Sequence, residues 1–140
     1  MYKSPSINYY SKGDTYGRTH QPIRVIENWL LCHHLACVVK YIARAGRNGP
    51  MLDDLKKAEW YLARELARYH KKFNKCHFAL IETTSINPAD VVNDWELSSH
   101  LGETLKAIKA AKNQSLKKQL LKKALHHLRA EISIQEGEIS

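Results

Sequence analysis

The sequence predicts an all-α protein of two similar three-helix units, each a short helix followed by a helical hairpin, packed as one pseudo-twofold bundle. Leu and Ala are abundant, β-branched runs are few, and only 6 Gly and 4 Pro occur, a composition that suits helices. Between Pro22 and Ala67, two helical periodicities meet at a Gly-rich turn. That stretch then recurs. Shifted by 66 positions without a gap, Pro22 falls on Pro88, Val25 on Val91, Trp29 on Trp95 and His34-Leu35 on His100-Leu101. Lys40 falls on Lys106, Ile42 on Ile108, Leu55-Lys56-Lys57-Ala58 on Leu121-Lys122-Lys123-Ala124, and Leu62 on Leu128. Roughly a third of the aligned positions are identical, and a shared Pro, Trp and His-Leu in one register point to duplication.

Each element has a local reason. Residues 1–19 are rich in Ser, Tyr, Gly and Lys without a period and read as an N-terminal arm. Residues 22–31 suit a short helix with Val25, Ile26, Trp29 and Leu30 on its buried side. Leu35, Val38, Val39 and Ile42 then fall at i, i+3, i+4 and i+7, one apolar helix face. Lys40 and Arg44 lie four apart on another face as a short cationic row. Gly46 can end that helix in the left-handed conformation, and Pro50 suits the start of the next. Asp53 and Asp54 sit early in this second helix, where negative charge favours the dipole. Leu55, Ala58, Leu62 and Leu66 carry its apolar stripe as far as about Phe73. Residues 74–86 connect the copies, and Asn87-Pro88 is a cap followed by a first-turn proline. Helices at about 88–95, 99–112 and 115–134 follow by the repeat, with Gln135 to Ser140 expected to fray. The expected organisation is one domain over residues 1–140, with a first repeat at 22–67 and a second, degenerate repeat at 88–133.

The losses between the copies locate a site. Tyr41 becomes Ala107, Arg44 becomes Ala110, Gly46 becomes Lys112 and Asp54 becomes Leu120. Tyr61 becomes His127 and Arg64 becomes Ala130, while the apolar skeleton persists. A site built mainly from the first copy is therefore expected, with the second as its packing partner. The plainer reading is drift on a solvated face.

Composition narrows the partners. The formal charge of +8 favours anionic ligands: nucleotides, nucleic acid or acidic protein. No apolar run approaches a membrane span and no charged-then-apolar leader opens the chain, so a cytoplasmic protein is expected. Cys32, Cys37 and Cys76 lack CxxC spacing and suit reduced thiols. Cys32-His33-His34 with Cys37 also lacks zinc-site spacing, so no metal site is expected there. His126 and His127 are adjacent and cannot both point inward from one helix, which favours surface placement.

The hairpin segment KYIARAGRNGPMLDDLKKAEWYLARE resembles the signature of the domain of unknown function 3310 family, small bacterial and phage proteins also described as phage nucleotide kinases. Lys40, Tyr41, Ile42, Arg44 and Gly46 match its first block, and Asp54, Leu55, Lys57, Ala58, Tyr61 and Leu62 match its second. The family's leading His-Tyr pair has as its nearest counterpart Tyr9-Tyr10, followed by Gly13, with Tyr in place of His. The resemblance implies phosphoryl transfer to a deoxynucleoside monophosphate, with Arg44, Asp54 and Lys57 as catalytic candidates. It implies Lys40, Tyr41, Arg44, Lys57, Tyr61 and Tyr10 as ligand-binding residues, and Arg47, beside the bend, is added to them by its charge. No GxxxxGK[ST] loop is present.

The chemistry of these residues is compatible with that implication. Phosphoryl transfer needs fixed positive charge around phosphate oxygens more than a covalent participant. Arg44 and Arg47 can make bidentate contacts, and Lys40 and Lys57 can act as point charges. Asp53 or Asp54 can hold magnesium accompanying the nucleotide, and Tyr41 or Trp60 can stack a base. Each has a plainer reading: helix N-terminal charges for the aspartates, core or interface packing for the aromatics, a solvated face for Lys56-Lys57. Arg44→Ala is expected to leave folding nearly unchanged, because Ala110 stands at the equivalent place.

Two rival functions remain. One is a non-catalytic nucleotide sink or sensor. The other is a nucleic-acid-binding module using Lys106, Lys109, Lys112, Lys117, Lys118, Lys122 and Lys123, whose plainer reading is a solvated helix face. Trp60, Tyr61, Tyr69 and Phe73 give the long helix apolar side chains on more than one face, so a homo-oligomer, as a dimer, is expected.

Overall fold

The computed structural model describes residues 18–47, 49–70, 86–111 and 117–139. They form six α-helices and no strand: α1 (Pro22–Asn28), α2 (His33–Arg44), α3 (Met51–His70), α4 (Pro88–Asp94), α5 (Ser99–Ala110) and α6 (Lys117–Ile139). The chain is all-α, as the composition and periodicity predict.

Local chemistry sets the boundaries. Pro22 and Pro88 occupy the first turns of α1 and α4, and the Asn87 Oδ1 accepts from the Ala89 N–H at 2.9 Å. Both short helices end at a tryptophan, and the next residue turns the chain through a left-handed conformation, Leu30 and Glu96 each at φ 53°. Gly46, at φ 79°, follows the Ala45 C-cap of α2, where a side chain would be strained. Pro50 lies just outside α3, which starts at Met51.

Each helix of the second unit starts 66 residues after its counterpart, and the two short helices and the two following ones have equal lengths. The buried residues follow the same register: Val25 and Val91, Trp29 and Trp95, Leu35 and Leu101, Ile42 and Ile108, Leu55 and Leu121, Ala58 and Ala124, Leu62 and Leu128. In each hairpin the two long helices pack on each other, α2 on α3 and α5 on α6, while α3 packs along α6 to join the units. These contacts merge the apolar faces into one core cluster.

The connections between units are reciprocal. The Trp29 Nε1–H donates to the Ile86 carbonyl at 2.9 Å, and the Trp95 Nε1–H donates to the His20 carbonyl at 2.7 Å. The Ile86 N–H donates to the Asn28 Oδ1 at 2.7 Å, and the His20 N–H donates to the Asp94 Oδ2 at 2.7 Å. His20 and Ile86 hold equivalent positions, as do Asn28 and Asp94, so each unit's leading segment is held by the other unit's short helix.

Several boundaries differ from expectation. The short helices close at Asn28 and Asp94, because Trp29 and Trp95 already serve as C-caps. The last helix runs to Ile139 instead of fraying after Ile134, with the Gln135 Nε2–H donating to Glu131 Oε2 at 3.0 Å along it. The arm is anchored at its end: Arg18 is buried, donates from Nη1 to the Ala43 carbonyl at 2.7 Å, and stacks its guanidinium 5.4 Å from the Trp95 ring. The expected contributions of Tyr69 and Phe73 to an oligomer surface, and the position of Cys76, lie outside the described residues and side chains. No helix among the described residues is long and apolar enough to cross a membrane.

Candidate functional site

The α2–α3 hairpin brings two tyrosines and two lysines together. Tyr41 in the last turns of α2 stacks on Tyr61 of α3, with ring centroids 5.9 Å apart and planes 16° from parallel. The Lys40 Nζ lies 5.4 Å from the Tyr41 ring centroid and the Lys57 Nζ 5.6 Å. Lys57 and Tyr61 are one turn apart on α3, which puts them beside the same ring of the antiparallel neighbour. Both lysines are exposed, and neither has a carboxylate within ion-pair distance among the described residues. Two ammonium groups drawn to one half-buried ring leave concentrated positive charge facing solvent.

Beside this platform, the Arg44 Nε lies 3.7 Å from the Asp54 Oδ1. The Asp54 side chain is only 5% exposed and that of Arg44 is 42% exposed. The Arg44 Nε itself is buried without a hydrogen bond. Asp54 thus neutralises and orients an arginine whose outer part reaches the surface. A carboxylate so enclosed does not fit a resident magnesium ion, and its neighbour in the first turn of α3, Asp53, is exposed.

Arg47 turns elsewhere. Its Nη2–H donates to the Trp95 carbonyl at 2.8 Å, and the side chain lines a cavity of about 200 Å³ between the α2–α3 bend and the 95–98 turn, with Gly46, Met51, Glu96 and Ser98. Tyr10 lies outside the described residues. Trp60 is 59% exposed and meets Tyr61 edge-on at 5.0 Å, extending the aromatic surface outward. The structure therefore brings together Lys40, Tyr41, Arg44, Asp54, Lys57 and Tyr61, and separates Arg47 from them.

A second layer supports the first. His33 and His34 both lie 6.1 Å from Tyr61, centroid to centroid. The Cys37 Sγ is 3.8 Å from the His33 Nε2. The neighbouring Cys37 pushes the Tyr61 hydroxyl above its ordinary pKa, with burial and Tyr41 adding to the shift. Burial holds His34 below the usual imidazole value, its neighbouring arginines act in the same direction, and Glu65 opposes them. The His34 Nδ1 lies 2.8 Å from the Arg68 Nη1, and Arg68 also approaches Glu65 at 3.9 Å. Glu65 is buried and takes the Cys32 Sγ at 3.0 Å, which ties α3 to the start of α2.

The second unit keeps the frame and not the platform. Buried Glu131 accepts from the Ser98 hydroxyl, as Glu65 does from Cys32. Ala107, Ala110 and Leu120 replace Tyr41, Arg44 and Asp54, so the ring and its adjoining ion pair vanish together. Of the lysine row, Lys117 is buried, Lys106 pairs with Glu103 at 3.8 Å, Lys122 and Lys123 are exposed, and Lys112 lies outside the described residues. His126 is exposed as expected, whereas His127 is half-buried against His100, with the Nδ1 atoms 3.0 Å apart. Burial lowers the His127 pKa, and His100 lowers it further. No group of three or more His, Cys, Asp or Glu among the described residues is arranged to hold a metal ion.

Sequence reasoning aligned Glu65 with Glu131 but gave the pair no role, and it missed Arg18 and the His100–His127 contact. Arg18 lay in a segment without periodicity, and the histidine contact required knowing which faces of α5 and α6 meet. The glutamates carried a signal, since Glu65 and Glu131 share the 66-residue register with the apolar positions around them.

No curated protein and no solved structure matches the chain. A family model does match it. Residues 4–63, which carry α1, α2, the bend and α3 as far as Tyr61 and Leu62, match DUF3310, a family described as of unknown function.

Proposed function

We propose that the chain binds a nucleotide on the α2–α3 hairpin. Lys40 and Lys57 take the phosphate oxygens, Arg44 adds a directed guanidinium, and the base lies against Tyr41, Tyr61 and the exposed Trp60. The observation that carries this reading is the pair of ammonium groups, 5.4 Å and 5.6 Å from one tyrosine ring and unpaired with any described carboxylate. Charge so concentrated is stabilised by an incoming anion. The enclosure of Asp54 by Arg44 favours binding over magnesium-dependent phosphoryl transfer, which rests on the family resemblance.

We further read the two units as copies related by an approximate twofold axis, the second having lost the platform. The equal spacing of all three helices and the reciprocal Trp29–Ile86 and Trp95–His20 bonds support this. It implies one nucleotide per chain.

Calorimetric titration with ribo- and deoxyribonucleoside mono-, di- and triphosphates tests the proposal. Saturable binding at one site per chain is expected. The double variant Lys40→Ala/Lys57→Ala should lose about tenfold or more in affinity, the scale of one or two charge-assisted hydrogen bonds. Unchanged affinity in that variant removes the site. Nucleic-acid binding would show itself by a loss of roughly three decades or more between 50 and 200 mM salt, far more than a mononucleotide pocket loses.

A further inference from the structure

The surface that α3 and α6 turn to solvent carries mostly one sign of charge. Lys56 and Trp60 are exposed one turn apart on α3, and Lys122 and His126 hold the equivalent places on α6, also exposed. Arg64 and Lys123 are exposed on the same two helices. Arg129, the next turn along α6, donates from its Nε–H to the Glu59 Oε2 at 3.0 Å. Glu59 directly precedes Trp60, and α3 packs along α6, so this bond brings the exposed stripe of α6 alongside that of α3.

Helix surfaces ordinarily intersperse both signs of charge. Here, among the described residues, the exposed carboxylates of the two helices are Asp53 in the first turn of α3 and Glu136 near the end of α6. Glu59 between them is half-buried and engaged by Arg129. Lys56, Arg64, Lys122 and Lys123 have no ion-pair partner among the described residues. Trp60 stands amid these cations and is 59% exposed. An open indole among unpaired cations matches two features of one ligand: the flat apolar face of a base and the charge of phosphates. From residue 56 to residue 64, α3 alone spans about 12 Å, more than a single phosphate group covers. The surface therefore fits a chain of phosphates.

We propose that the joined outer face of α3 and α6 binds single-stranded nucleic acid, with phosphates on Lys56, Arg64, Lys122, Lys123 and Arg129 and a base stacked on Trp60. A single strand offers base faces that a duplex keeps stacked inside. Contacts to phosphate carry no sequence information directly, so little base preference is expected. The inference goes beyond the nucleotide platform and does not require it. Of the residues named, only Trp60 borders both surfaces.

Fluorescence anisotropy of the full chain with a labelled oligothymidylate of about 16 nucleotides tests this. Saturable binding is expected, weakening steeply between about 50 and 200 mM salt. Lys56→Gln/Lys122→Gln/Arg129→Gln should weaken strand binding by roughly tenfold or more and leave mononucleotide titration unchanged. Trp60→Ala should weaken it by about fivefold or more, and the tryptophan quenching that the unlabelled strand causes in the parent should disappear. Circular dichroism establishes that each variant is folded. Absent binding, unchanged binding in either variant, or equal affinity for a duplex of the same length would each overturn the proposal. Polyglutamate bound as tightly as the strand would overturn it too, by showing an acidic-protein surface instead. Strand binding unchanged in the triple variant but lost in Lys40→Ala/Lys57→Ala would leave the platform as the nucleotide site and remove the α3–α6 face.

Discussion

Asp54 is nearly enclosed, and Arg44 is the cation beside it. Removing Arg44 alone leaves a buried carboxylate without its cation, and Arg44→Ala should cost about 1–2 kcal/mol, discounted because the arginine is partly exposed. The sequence suggested tolerance, because Ala110 occupies the equivalent place. The structure supplies the missing half: Ala110 is accompanied by Leu120, so the second unit dispenses with both charges. Arg44→Ala/Asp54→Leu should therefore recover most of the stability lost by the single variant, measured by urea denaturation. A double variant no more stable than the single one would mean that the pair does not act as a unit. At the same scale, burial keeps His34 below its ordinary pKa of 6.5. The unfolded chain then takes up the proton first as pH falls, so this group's contribution is present above 6.5 and is lost at lower pH. The melting temperature should drop between neutral pH and about 5, less so in His34→Gln. Tyr41, Arg44, Asp54 and Tyr61 were legible as differences between the two segments 66 residues apart, whereas Lys40 and Lys57 recur as Lys106 and Lys123 and stood out only in the family-like motif. Which of them touch, and that Arg47 turns to the Trp95 carbonyl, depended on side-chain directions that spacing does not give.

The helices were legible because apolar spacing, proline and cap residues agree along each of them. Their ends were less so. A tryptophan C-cap followed by a left-handed Leu30 or Glu96 carries no glycine to announce it. Glu96 is exposed, so Glu96→Gly should relieve the left-handed strain and stabilise the protein by up to about 1 kcal/mol, with a correspondingly higher melting temperature. The starts of α2 and α5 offer a matched comparison. The Ser98 hydroxyl accepts from the Leu101 N–H at 3.3 Å and also donates to Glu131, whereas Cys32 makes no side-chain cap bond. Ser98→Ala should cost about 1–3 kcal/mol, combining a lost cap with a carboxylate short of a donor. Cys32→Ser transplants the second unit's residue and should add about 0.5–1 kcal/mol. If the serine confers nothing there, the equivalence of the two helix starts fails at that point.

Across the whole molecule, the units are held together by more than the α3–α6 contact. His20 and Ile86, each leading its own unit, are bound by the short helix of the other through one indole N–H and one side-chain oxygen. The exchange is not fully symmetric, since Asp94 also accepts from the Thr19 N–H at 2.9 Å and carries a charge that Asn28 lacks. The repeat was plain in the sequence, but its mode of association was not, because His20 and Ile86 differ in type and act through their backbones. Units that share one core and exchange these bonds should not unfold independently. Differential scanning calorimetry should show a single transition with equal calorimetric and van't Hoff enthalpies. Trp29→Phe and Trp95→Phe each remove one exchanged donor and leave a carbonyl short of its partner. Each should destabilise by about 1–3 kcal/mol while keeping the transition single. Two resolved transitions in either variant, or in the parent, would mean that each hairpin carries its own stability and that the reciprocal bonds only align them.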